Sequence, residues 1–97
     1  MDAPQKKGIK VYVPVRVAFD ETGRMFPRAI RWEDGQVYEI DRVLDVRPSY
    51  AARAGGQGDR YTIRMAGRET YLFFEHSADF GNPIPGRWFV ERRECQP

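Results

Sequence analysis

The chain has 97 residues, 41% of them hydrophobic and 31% charged, with 16 basic side chains against 14 acidic. That length fits one domain and leaves no room for a second, and the apolar fraction is well above that of a chain unable to build a core. No run of about 18 apolar residues is present, so no transmembrane helix is expected, and a net charge of +2 gives no strong general attraction for nucleic acid.

Residues 1–7 are polar, contain Pro4 and have no period, and read as a disordered lead. Their lysines precede no apolar h-region, so no secretory signal is expected. A single domain is expected over residues 8–93, with a charged tail over 94–97. From Gly8 onward, Ile9, Val11, Val13, Val15, Val17 and Phe19 alternate with polar or small residues, the period-two pattern of a strand. Pro14 falls on the outward phase and cannot donate to a ladder, which calls for an edge or a bulge. A long strand broken at its middle is suited to bend between two sheets or to close a barrel.

Asp20-Glu21-Thr22-Gly23-Arg24 reads as a turn, and a second strand runs from Pro27 through Ile30 and Trp32. Asp34-Gly35 then predicts a two-residue hairpin, because both residue types tolerate positive φ. The third strand is expected over residues 36–46. Its phase shifts near Asp41-Arg42, which predicts a β-bulge. A short helical turn is the alternative, since Ile40, Val43 and Leu44 also fit a period of about 3.6. Pro48 is expected to end this strand. Residues 49–58 form the main connection, with one helical turn possible at Ala51-Ala52-Arg53-Ala54 and a hinge at Gly55-Gly56-Gln57-Gly58.

A fourth strand covers residues 60–66, with Tyr61, Ile63 and Met65 opposite in phase to Arg60, Thr62 and Arg64. Ala66-Gly67 makes a tight turn into a fifth strand over 68–75, where Tyr71, Leu72, Phe73 and Phe74 are consecutive. Residues 76–86 form a second loop, and 87–91 a short sixth strand. The expected fold is all-β: a small, partly open antiparallel barrel, SH3-like or OB-like, of about six strands with at most one short helical turn.

The run Ala29-Ile30-Arg31-Trp32-Glu33-Asp34-Gly35-Gln36-Val37-Tyr38-Glu39-Ile40-Asp41-Arg42-Val43-Leu44-Asp45 resembles small bacterial β domains of unknown function. In these a Trp-bearing strand turns into a Tyr-x-Ile/Val strand ending in Val-Leu-Asp. Arg60-Tyr61-Thr62-Ile63-Arg64 and Arg87-Trp88-Phe89-Val90-Glu91 complete the similarity, which spans about residues 27–92. The resemblance implies a fold and no chemistry, because the family has no assigned functional residue to carry over.

Catalysis, cofactor and metal binding find little support. Nucleophilic catalysis requires a nucleophile, a base and an orienting group. The chain has one His, His76, with Asp79 nearby in a Gly/Pro-rich loop, and a lone Cys95 near the end of the chain. Glu33-Asp34 and Asp41 with Asp45 make no recognisable ligand set, so no metal is expected. One cysteine forms no internal disulfide and points to a reducing, cytoplasmic setting. A non-catalytic binding module remains, with no cofactor and no membrane partner.

Two faces compete for that role. Leu72, Phe74 and Phe89 are surplus apolar positions, a candidate contact for a protein partner or a second copy of the chain. This is the preferred reading; the plainer one is that the two long loops cover them. The basic residues are 13 Arg and 3 Lys. Arg16, Arg28, Arg31, Arg60, Arg64 and Arg68 occupy outward strand phases, with Tyr12 beside them. Arginine and aromatic side chains on a sheet face suit single-stranded nucleic acid, the alternative partner. Against that stands ordinary cross-strand pairing of these arginines with Glu33, Glu39, Asp41 and Glu69.

Overall fold

Alternation and turn chemistry together produce an all-β chain. In a computed structural model, which describes residues 8–50, 57–77 and 85–93, the strands are β1 (Gly8–Tyr12), β2 (Val15–Phe19), β3 (Met25–Arg31), β4 (Val37–Tyr50), β5 (Gln57–Met65), β6 (Arg68–His76) and β7 (Gly86–Arg93). All neighbours are antiparallel, in the order β1-β7-β6-β5-β4-β3-β2. The sheet curls into an open half-barrel, and no helix occurs among the described residues. The lead over 1–7, the segments 51–56 and 78–84 and the tail over 94–97, with Asp79 and Cys95, lie outside them.

Among the described residues there are seven strands and not six because Pro14 divides the first. β1 and β2 sit at opposite edges of the sheet, yet only Val13 and Pro14 separate them. Val13 N donates to Trp88 O of β7 at 3.1 Å, and Pro14 O accepts from Arg31 N of β3 at 3.1 Å. The ladder therefore changes partner where proline removes a donor.

β4 is the second strand shared between the two halves. Residues 37–39 pair with β3, and from Ile40 onward β4 is in register with β5. The register shifts between Ile40 and Arg42 and again between Val43 and Asp45. The first shift is the bulge expected at Asp41-Arg42; the helical alternative does not occur. Pro48 does not end the strand: it lies opposite Asp59, and β4 continues to Tyr50. Proline is tolerated there because, among the described residues, this part of β4 is paired on one side only, so its missing N–H interrupts no second ladder. Ser49 and Tyr50 pair with Gly58 and Gln57, which shortens the connection expected over 49–58.

The β3–β4 hairpin also differs from the two-residue turn expected. Gly35 N donates to Trp32 O at 2.9 Å and Trp32 N to Gln36 O at 2.8 Å, so Glu33-Asp34-Gly35 forms a three-residue loop. Only Gly35 takes a positive φ, +86°. This is a type I turn followed by a left-handed glycine. The β5–β6 turn is the tight one expected, with Ala66 at φ +53° and Gly67 at +77°.

The core fills the concave side. Ile30, Ile63 and Leu72 are completely buried, with Val13, Tyr61, Phe74, Trp88 and Val90 around them. Trp88 bridges Phe74 and Tyr61 with ring centroids 4.8 and 5.2 Å away. Leu72→Ala is expected to cost about 2–5 kcal/mol in urea unfolding, since the cavity sits amid β-sheet that cannot collapse freely. Ala66→Asn, which relieves a left-handed alanine in a two-residue turn, is expected to stabilise the protein by up to about 1 kcal/mol in the same assay.

Candidate functional site

Residues directly opposite in an antiparallel ladder share a face. Tracing the register outward from Arg47 gives one row across five strands: Arg47, Arg60, Phe73, Phe89 and Tyr12. Beside it run Asp45, Thr62 and Tyr71, then Arg42, Arg64 and Glu69. Glu75 with Arg87 and Lys10 with Glu91 complete the convex face.

The rings form a continuous ladder. Phe73 and Phe89 stack with centroids 5.0 Å apart and planes 6° apart. Tyr12 meets Phe89 edge-on at 5.7 Å, and Tyr71 meets Phe73 edge-on at 6.3 Å. Cations lie on the ladder: Lys10 Nζ 4.7 Å from the Phe89 centroid, Arg60 Cζ 4.5 Å from Tyr71 and Arg87 Cζ 3.9 Å from Tyr12. The two tyrosines at its ends stay open, Tyr71 48% and Tyr12 40% exposed. Tyr12 donates its hydroxyl to Glu75 Oε1 at 2.7 Å. That hydrogen bond, then burial, then the Glu75 charge raise the Tyr12 pKa above the ordinary tyrosine value, against an opposing effect of Arg87.

The cations are crowded as well as numerous. Arg42 lies directly opposite Arg64, and Arg47 opposite Arg60. Like charges so placed repel and destabilise the pair. Part of this is relieved by Arg47 Nε to Asp45 Oδ2 at 2.7 Å and Arg64 Nη2 to Glu69 Oε2 at 3.3 Å. Both pairs are largely exposed and worth at most about 1 kcal/mol each. Arg60 rests on Tyr71 with its Nε buried and, among the described residues, without a hydrogen-bond partner.

The arginines singled out from sequence fall into three groups. Arg60 and Arg64 belong to this face. Arg68 does not, because its register partner is Met65 and the pair lies on the concave phase. Arg16 and Arg31, opposite Ala29 and Val37, border a shallow groove of about 230 Å³ on the β2–β3 side. Arg28 sits exposed where the β2–β3 register slips. The three residues expected as an apolar contact are not exposed. Leu72 and Phe74 face inward opposite Tyr61 and Asp59, and are 0% and 5% exposed. Phe89 faces outward, yet Lys10, Tyr12 and Phe73 cover it to 1% exposure.

Tyr71, Phe73, Arg42, Arg47, Arg87 and Lys10 were not among the sequence candidates. For the first two the signal existed: a two-residue turn at Ala66-Gly67 places Arg60 opposite Phe73 and Thr62 opposite Tyr71. His76 Nε2 lies 3.0 Å from Asp59 Oδ2 on the neighbouring strand. Among the described residues no group of three or more His, Cys, Asp or Glu side chains is placed to hold a metal, and no helix is long and apolar enough to cross a membrane. No protein-family model, curated protein or solved structure matches the chain.

Proposed function

We propose that the chain is a non-catalytic binding module, a small barrel of SH3-like or OB-like type, whose convex β4–β5–β6–β7–β1 face holds single-stranded nucleic acid. The observation that carries this is the pairing of two Arg–Arg rungs, Arg42–Arg64 and Arg47–Arg60, with an aromatic ladder open at Tyr71 and Tyr12. Phosphates between the rungs relieve the repulsion, and bases stack on the open rings without regard to sequence. The net charge of +2 limits the number of phosphates held and fits a weak, salt-sensitive binder.

The competing protein partner or second copy drew on Leu72, Phe74 and Phe89, all of which are covered. Strand addition at the open side of β4 is opposed by two bulges, Pro48 and the charges of Asp41, Arg42, Asp45 and Arg47, features that blunt an edge. A reducing, cytoplasmic setting accords with the single cysteine.

Fluorescence anisotropy with labelled oligo-dT and oligo-rU of about 12 nucleotides tests the reading. Affinity is expected to fall with rising salt, and Arg60→Ala to reduce the log–log slope by about one. Tyr71→Ala is expected to weaken binding by about 1–3 kcal/mol. No binding at low salt, together with concentration-dependent dimers in sedimentation, overturns the proposal in favour of self-association. Arg42→Glu sets a carboxylate opposite Arg64. It is expected to raise stability by about 0.2–1 kcal/mol in urea unfolding while weakening oligonucleotide binding.

A further inference from the structure

The tips of the β3–β4 and β5–β6 hairpins border an open cleft of about 680 Å³, which Met65, Arg68 and Thr70 line from the concave phase. Its walls are Trp32, Tyr38, Met65, Arg68 and Thr70. Trp32 and Tyr38 meet edge to face with centroids 6.5 Å apart. The walls are held in place. Trp32 lies inside the two turn bonds with Gly35 and Gln36, and Tyr38 pairs with the fully buried Ile30. Arg92 Nη1 of β7 donates to Glu33 Oε1 of the same turn at 3.1 Å.

Arg68 supplies the charge. Its register partner Met65 brings it to the concave phase, and no carboxylate lies within ion-pair distance of it among the described residues. Glu69, which also borders the cleft, is engaged with Arg64 on the outer face. A preformed, mostly apolar cleft with one cation at its rim, in the volume range of about 300–1,000 Å³, has the build of a small-molecule site.

We infer that this cleft is a second binding site, for a small molecule with a planar aromatic body and an anionic group. The ring packs against Trp32, Tyr38 and Met65, and the carboxylate or phosphate accepts two parallel N–H bonds from the Arg68 guanidinium.

The chain has two tryptophans, Trp32 and Trp88, so the indole N–H region of a ¹⁵N–¹H NMR spectrum reports the cleft and the core separately. 2-Naphthoate and 2-naphthyl phosphate serve as probes and distinguish carboxylate from phosphate; 2-naphthamide is the neutral control. Both anions are expected to move the Trp32 indole peak saturably and leave that of the buried Trp88 in place. Arg68→Ala is expected to weaken the anions by about tenfold or more and leave the amide unchanged. Arg68→Gln, which keeps an aliphatic stem and an N–H donor but removes the charge, is expected to do the same, with the rest of either spectrum superimposing on the parent. Bound oligonucleotide is expected not to displace 2-naphthoate, which keeps this result independent of the convex face. An unmoved Trp32 peak, an equal loss for the amide, or shifts confined to the Arg60 and Tyr71 amides overturns the assignment.

Discussion

Pro14 has no N–H to give, and the backbone on either side of it belongs to different ladders. Val13 donates back to β7 while the Pro14 carbonyl accepts from β3. Two residues thereby span from one edge of the sheet to the other, and the sheet can satisfy both bonds only by curling. The curl creates an inside and an outside. Ile30, Ile63 and Leu72 take the inside, each worth about 1.5–3 kcal/mol of burial. Tyr12, two residues before the proline, is fixed against Phe89 on the outside. The aromatic ladder ends where it does because the first strand changes partner there.

The bulges of β4 do the complementary work at the other side. Strict alternation from Ile40 would send Arg42 inward with Leu44 and Val46. Skipping Asp41 turns Arg42 outward and Val43 inward, opposite Arg64 and Ile63. Skipping Leu44 keeps Val46 inward opposite Tyr61 and brings Arg47 outward opposite Arg60. The same two irregularities that let one strand serve both halves therefore assemble the Arg–Arg rungs.

Local features were readable in the sequence where they rest on local chemistry. The alternation from Ile9 to Phe19, the tight turn at Ala66-Gly67 and the bulge near Asp41 depend on neighbours a few residues away. Features set by distant partners were not. Pro48 stays in β4 because, among the described residues, no strand pairs on its other side, and only the assembled sheet decides that. Tyr71-Leu72-Phe73-Phe74 carries no alternation of its own, so its inward phase follows from the hairpin register and not from hydrophobicity. Phe89 is hidden by Lys10 from a strand at the far end of the chain, and the Arg47–Arg60 rung requires both bulges at once.

On the convex face Arg60 and Arg87 occupy the surfaces of Tyr71 and Tyr12 that a base would use. In the proposed complex each stacking event displaces a guanidinium. An exposed cation–π contact is worth about 0.5–1 kcal/mol, whereas a base on an aromatic ring gains about 1–3 kcal/mol. The displaced guanidinium is not left idle. Arg60 already has an unpartnered Nε and a like charge opposite, and a phosphate answers both. In the proposed complex the exchange is therefore favourable at Tyr71, where the guanidinium that leaves the ring gains a phosphate partner.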